Sequence, residues 1–504
     1  NYNVHDRSDK YAAYDYSYSV LKSLPKDDIL FVYGDNDTYP VWGLQETERF
    51  RDDVRVVNFT LLSTPWNIDQ VKRRVYNAAA IPSLLTHEDY RDGANDQIYL
   101  MQPGEMESVI SNLRDSGMNP NDYRALEKYV KQDSMTVKEA INFLKLNSPA
   151  KDEILKIIFG EARYEKYNFL PTRNFIIPVN KENAVKAGII KVSDLPNAVD
   201  NIKISYKAST LFKNNLMMFD IFADFDWKRA INFSSGGIYD SENIFYLDDY
   251  LQFDGFSYRL VPIYTPRSSD GDMARVDAES LYNIVKNFRW GNFKNLKNHY
   301  DETATSNIIG YRMAASRAAS ALALSGQKAK AIEILNLAAT EIPVEKYNDP
   351  RSLSNMVSAY IIAGEEQKGL QLAEKLKQAI FKEYDYYTNL SKEDQRFVRR
   401  QMGSKPMEYS LVVSAVTDAY NKIGQKQKGY SYLVKSIEPI DKKFSDFIKE
   451  LQQIGKEKAV SQSENVQKIT PFYQYLFDIM EPYDSTYARE KEDQITRAIM
   501  KVTQ

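Results

Sequence analysis

Four consecutive apolar residues, Ile29-Leu-Phe-Val32, run into a polar turn that carries Gly34, Asp35, Asn36 and Asp37. A second apolar run, from Val54 to Leu62, ends in Ser63-Thr-Pro65. Short continuous apolar runs bounded by turn residues predict buried strands of the kind found in parallel sheets. A weaker helical pattern through Val41, Leu44 and Phe50 follows the first. A helix over about 68–80 follows the second, with Pro65 suited to its first turn. Strand, loop, helix, strand, loop, helix predicts βαβ units. In such sheets the loops at the carboxyl ends of the strands share one edge, where ligands usually bind. The acidic loop at 35–37 and the loop 58–66 therefore lie side by side.

Upstream, residues 1–24 predict one helix, with Tyr11, Tyr14, Tyr18 and Leu21 on one face and Ser8 or Asp9 as its cap. Downstream, Gln97 to Met101 predicts a third strand. Residues 102–170 read as a helical insertion, in which Thr136 and Glu139 have the spacing of a capping box. Strands are predicted again at 174–179, 201–206, 227–233 and 256–263, with a helix at about 211–222. Residues 1–270 thus form a mixed α/β domain of βαβ type, with a mostly parallel or mixed sheet.

The tail, 271–504, changes character. Ala321-Leu322, Gly326, Lys330-Ala331 and Leu335 recur as Ala359-Tyr360, Gly364, Lys368-Gly369 and Ala373, then as Ala419-Tyr420, Gly424, Lys428-Gly429 and Leu433. Small residues let antiparallel helices approach closely, and the central glycine makes the turn between them. The pattern predicts an all-α, tetratricopeptide-like array of helical hairpins, irregular because its glycines are unevenly spaced. The longer gap contains Tyr384, Tyr386 and Tyr387.

Composition narrows the function classes. With 504 residues, 43% hydrophobic and 27% charged, large cores are possible. The net charge of −3 argues against nucleic acid as the main partner. Cysteine is absent, which excludes disulfides, thiolate metal sites and a cysteine nucleophile. Three histidines, His5, His87 and His299, make a multi-histidine metal centre improbable. No apolar run reaches the roughly 18 residues that predict a membrane span. The chain begins at Asn1 with neither methionine nor signal peptide, as a processed or excised piece would.

The sharpest chemical feature is Asp35-Asn36-Asp37-Thr38. Two carboxylates one residue apart on a loop offer hard oxygen ligands to a divalent cation. The alternative is that Asp37 or Thr38 caps the next helix while Asp35 pairs with an arginine such as Arg7 or Arg73. His5-Asp6-Arg7 either feeds this loop or caps the first helix. Trp42, Asn58 and Trp66 follow strand ends; aromatic faces beside carboxylates suit a sugar, although helix-to-sheet packing is the commoner fate of tryptophan. Asp69 and Arg73, four apart, predict a local ion pair. No phosphate-binding glycine motif and no serine-hydrolase elbow is present.

Several segments together resemble a known family: His5 to Ser8, Phe31 to Pro40, Val54 to Asn58, Trp66 to Gln70, Pro171-Thr-Arg173, Trp227-Lys-Arg229 and Tyr258 to Pro262. They are similar to the carboxyl-terminal soluble part of a large bacterial membrane-protein family that resembles GT-C protein O-mannosyltransferases. The resemblance implies that a transmembrane half is missing, and that the soluble part lies on the periplasmic side and ends in tetratricopeptide-like helices. It also implies that the full-length protein uses a polyprenyl-phosphate sugar donor, with the catalytic acid in the membrane half. On that reading this part assists binding of acceptor polypeptides through the helical repeats and is not catalytic alone. The residues by themselves leave two other readings open. One is a free-standing metal-dependent enzyme acting on sugar phosphates through Asp35 and Asp37. The other is a protein-interaction scaffold.

Overall fold

A computed structural model describes residues 6, 8–162, 164–268, 273–453 and 464–503. The chain divides into two compact units. The first comprises residues 13–277 and 287–289, and the second residues 1–12, 278–286 and 290–504.

The α/β unit is built on five strands in the order β10-β11-β9-β1-β2. β1 (Ile29–Val32), β2 (Arg55–Asn58) and β9 (Ile231–Ser234) are parallel, whereas β11 (Ser257–Leu260) runs antiparallel to β9 and to β10 (Leu251–Phe253). Every residue of β1, β2 and β9 is buried. That burial explains why they read as continuous apolar runs rather than as alternation. Phe31 of β1 stacks on Phe233 of β9 at 5.6 Å, within the core.

Helices α1 (Ala12–Ser23), α2 (Asp35–Glu48) and α3 (Pro65–Val71) accompany the first two strands. The first helix is shorter than the sequence predicts, and the residues before it are not its cap: Ser8 donates to Asp6 in a local turn. Its buried face carries Ala12, Tyr16, Val20 and Leu21, while Tyr11 is exposed. Buried Ser17 and Ser19, bonded to the carbonyls of Ala13 and Arg289, hide this stripe from a hydrophobicity count. α3 begins at Pro65 as predicted and stops at Val71, well short of residue 80. Its terminal carbonyls are held by Arg55, whose guanidinium reaches Gln70 O (2.7 Å) and Val71 O (2.9 Å).

β3 (Gln97–Leu100), β5 (Asn168–Leu170) and β8 (Thr210–Phe212) form a second sheet. β4 (Met135–Thr136), β6 (Asn174–Pro178) and β7 (Asn201–Ser205) form a third. The intervening helices are α4 (Glu105–Asp115), α5 (Pro120–Glu127), α6 (Val137–Leu144), α7 (Pro149–Phe159), α8 (Lys181–Lys186) and α9 (Lys213–Asp224). Thr136 caps α6 through both capping-box bonds, Glu139 N to Thr136 Oγ1 (3.1 Å) and Thr136 N to Glu139 Oε2 (2.8 Å).

The second unit is all helical: α10 (Ala278–Lys286), α11 (Glu302–Leu324), α12 (Lys328–Glu341), α13 (Pro350–Ala363), α14 (Glu366–Thr388), α15 (Lys392–Phe397), α16 (Arg399–Lys422), α17 (Lys426–Gln453) and α18 (Glu464–Thr503). α11, α13 and α16 pack side by side, and each also packs on its successor α12, α14 or α17. The three repeat glycines all take positive φ: 87° at Gly326, 95° at Gly364 and 74° at Gly424. After each, the next residue donates to a carbonyl five residues back: Gln327 to Leu322, Glu365 to Tyr360 and Gln425 to Tyr420, each at 2.8 Å. One C-cap chemistry therefore closes three hairpins. At the small position that follows, a Cβ on Gly369 would lie 2.7 Å from Ile361 Cγ1, so the glycine sets how closely α14 approaches α13. Tyr384, Tyr386 and Tyr387 fall within the long helix α14.

Arg312 is fully buried and donates to Tyr347 O (2.7 Å), Ser352 Oγ (3.0 Å) and Ile342 O (3.2 Å). Burial lowers its pKa to about 10.

Candidate functional site

Two places in the α/β unit gather the residues singled out in the sequence. The first is the carboxyl edge of the parallel strands. After β1, Gly34 adopts φ 79° and ψ 174°, a conformation open to almost no other residue, and this lets α2 start at once at Asp35. Positions 35 and 37 are two residues apart on a helix, about 200° around its axis. Asp35 and Asn36 consequently face solvent, while Asp37 turns toward the sheet.

Asp37 is closely held. Its Oδ2 accepts from Ser234 Oγ at the end of β9 (2.6 Å), and its Oδ1 from Tyr16 OH (3.2 Å). The backbone N–H groups of Tyr33 and Gly236 add a weaker attraction to the carboxylate. Burial pushes its pKa above the ordinary carboxylate value, and these hydrogen bonds oppose the shift. Gly236 is required here, because a Cβ would meet Asp37 Oδ2 at 2.3 Å; one on Gly237 would enter the Tyr33 ring at 2.0 Å. Asn58 completes this edge, donating to Thr38 Oγ1 (2.8 Å) and accepting from Leu61 N (3.0 Å), and Thr38 donates to Gly34 O (2.7 Å). The edge thus brings together Asp37, Thr38 and Asn58 but leaves Asp35 and Asn36 outside. Arg7 lies outside the described residues. Asp69 accepts from Tyr90 OH (2.7 Å) and lies 2.9 Å from His87 Nδ1, in place of the predicted pair with Arg73.

The second place is a cleft beside the edge strand β2, between the second half of α2 and α3. Trp42 and Trp66 both line it, together with Tyr76, Glu46, Asn67 and Gln70, around a volume of about 220 Å³. Trp66 is 58% exposed, so helix-to-sheet packing is not its role. Tyr76 stands at φ 52°, stacked under the Arg49 guanidinium at 3.3 Å and donating to Glu46 Oε2 (2.8 Å). Arg55 Nε and Nη2 donate to the carbonyls at the end of α3, and burial lowers its pKa to about 10. Neither Tyr76 nor Gln70 was singled out in advance as a site residue. Both lie close in sequence to Trp66, but only the turn that follows α3 brings Tyr76 back against α2.

The geometry defines the class first: a mixed α/β unit with an aromatic cleft, continued by an all-helical unit. Residues 13–280 match the family model described as TMEM260-associated domain 2, which is more than half of the chain, and the chain belongs to that family. The matched stretch covers almost all of the α/β unit. The chain is also 32% identical over 93 residues to "Protein O-mannosyl-transferase tmem260" of Dictyostelium discoideum; that alignment covers 18% of this chain and 11% of the relative. No solved structure matches. Among the described residues no helix is long and apolar enough to cross a membrane, and no group of three or more His, Asp and Glu is placed to hold a metal ion.

Proposed function

We propose that this chain is an extramembrane part of a protein O-mannosyltransferase, on the periplasmic side, where it assists binding of acceptor polypeptide and leaves the chemical step to a membrane-embedded half. The observation that carries this reading is family membership over residues 13–280, joined to the printed activity of the amoebal relative. The polyprenyl-phosphate sugar donor belongs with the membrane half, as do the acid and base of the transfer.

The helical unit is the natural seat for an acceptor. We read its hairpins as tetratricopeptide-like, an architecture whose stacked helices present extended binding surfaces. A groove of about 640 Å³ runs over α12, α13 and α14, with Ala339, Val344, Met356 and Leu370 among its lining and Lys368 and Glu374 beside them. Apolar floor and paired charges suit an extended polypeptide better than a small metabolite.

The test is deletion of residues 300–504 from the full-length protein in its native cell, with acceptor glycosylation read by mass spectrometry of intact proteins. Loss of modification from at least a subset of acceptors is expected. Unchanged glycosylation of every acceptor would overturn the assignment of this unit. Unchanged glycosylation in cells lacking the whole protein would leave only a scaffold.

A further inference from the structure

The cleft between Trp42 and Trp66 has the chemistry of a ligand site rather than of a packing defect. Three aromatic side chains, Trp42, Trp66 and Tyr76, line it. Tyr76, the wall opposite α3, is built in place by the Arg49 stack and the Glu46 bond, in a left-handed backbone conformation rare for a tyrosine. The polar groups around it are unspent. Among the described residues neither indole N–H nor the Gln70 side chain has a hydrogen-bond partner, and the Oδ1 of Asn67, itself 2% exposed, is buried with none. Buried polar atoms are almost always satisfied, so the orphaned Oδ1 of a residue that lines the cleft stands out.

Charge selects the class of ligand. The lining cation Arg55 spends Nε and Nη2 on the backbone carbonyls of Gln70 and Val71, and the carboxylates lining the cleft are those of Glu46 and Asp52. An anion would meet these two carboxylates, which weigh against a phosphate or a sugar phosphate. A neutral polyol with one apolar face fits every wall: its C–H face lies on an aromatic ring, and its hydroxyls both donate and accept. The volume of about 220 Å³ is below the roughly 300–1,000 Å³ of drug-sized pockets, in keeping with a single ring.

We propose that the cleft lined by Trp42, Trp66 and Tyr76 binds one uncharged hexopyranose unit, such as the sugar carried on a glycosylated polypeptide. The proposal rests on the cleft and not on the transferase reading, so either can fail alone.

Saturation-transfer NMR on the whole chain tests it, with millimolar methyl α-mannopyranoside, methyl α-glucopyranoside and methyl β-galactopyranoside as probes. Tryptophan fluorescence gives a parallel readout, because the other two of the four tryptophans, Trp227 and Trp290, are buried. Saturable transfer from at least one glycoside is expected, with a fluorescence change, and at least tenfold weaker binding in Trp66→Ala. That side chain is exposed, so the variant should melt with the wild type. Gln70→Ala, also predicted to fold normally, should weaken binding severalfold. The proposal is overturned by absence of transfer from all three glycosides, by transfer that Trp66→Ala leaves intact, or by a preference for mannose 1-phosphate over the neutral glycoside. Fluorescence changes caused by unglycosylated acceptor peptide alone would overturn it too, assigning the cleft to polypeptide.

Discussion

The lock between Asp37 and the loop after β9 makes a quantitative prediction through the glycines around it. In Gly236→Ala the new Cβ would sit 2.3 Å from Asp37 Oδ2, far inside contact distance, so the carboxylate must leave. It then loses the bond from Ser234 Oγ. A hydrogen bond to a charged group is worth about 1.5–3 kcal/mol, so the loss is about 1.5–3 kcal/mol. At about 2–4 °C per kcal/mol for a unit of this size, the melting temperature of the α/β unit should fall by about 3–12 °C. Two other glycines of the same segment calibrate the result. Gly34→Ala meets no neighbour and suffers only its backbone conformation, about 1–3 kcal/mol. Gly43 lies exposed inside α2 with open space around it, and Gly43→Ala should instead stabilise by about 0.5–1 kcal/mol. The assay is a thermal melt followed by fluorescence, to which Trp42, Trp66 and Trp227 report from this unit. The reasoning is refuted if Gly236→Ala melts within about 2 °C of the wild type, or if Gly43→Ala is the more damaging of the two.

Three further outcomes are expected. In the helical unit, Gly369→Ala should cost about 1–3 kcal/mol by circular-dichroism melting, because its Cβ would lie 3.0 Å from the unyielding Val357 carbonyl, whereas Gly403→Ala in α16 meets nothing and should be neutral or stabilising. Lys151 is buried against the carbonyls of Phe143, Leu144 and Leu146, and burial lowers its pKa to about 7. The unfolded lysine keeps its proton to about pH 10, so the unfolded chain binds more protons between these values. Stability measured by urea denaturation should therefore rise with pH across that window, and the rise should shrink in Lys151→Met. Finally, a divalent cation shared by Asp35 and Asp37 would raise the melting temperature by binding linkage. Because those carboxylates face apart and Asp37 is held by Ser234 and Tyr16, neither magnesium nor manganese should shift wild type or Asp35→Ala, as calorimetry with each ion would show.

What the sequence makes legible is what short-range patterns determine. The two apolar runs at β1 and β2, the proline opening α3, the Thr136–Glu139 box and the three glycine hairpins are each written within a few residues of one another. The edge strands β8 and β10, three residues each, carry too little pattern to be seen. The face of α1 was misread because its buried serines hide it. The partner of Asp37 lies 197 residues away, so nothing local distinguishes this carboxylate from the exposed Asp35. The aromatic cleft shows the same limit: Trp42 and Trp66 are visible as candidates, but whether they sink into a core or frame an opening depends on where Tyr76 returns.

The pairing of β1 with β9 also carries a cost in time. Ile29 lies against Ile231, so this interior strand of the sheet receives one neighbour soon after synthesis and the other about 200 residues later. At roughly 5–20 residues per second, β1 waits about 10–40 s on the ribosome with one edge unsatisfied. Each hairpin of the tail closes between two helices consecutive in sequence and has no such wait. The nascent α/β unit, exposed for tens of seconds, is thus the part of this protein whose production depends most on escorting factors and temperature.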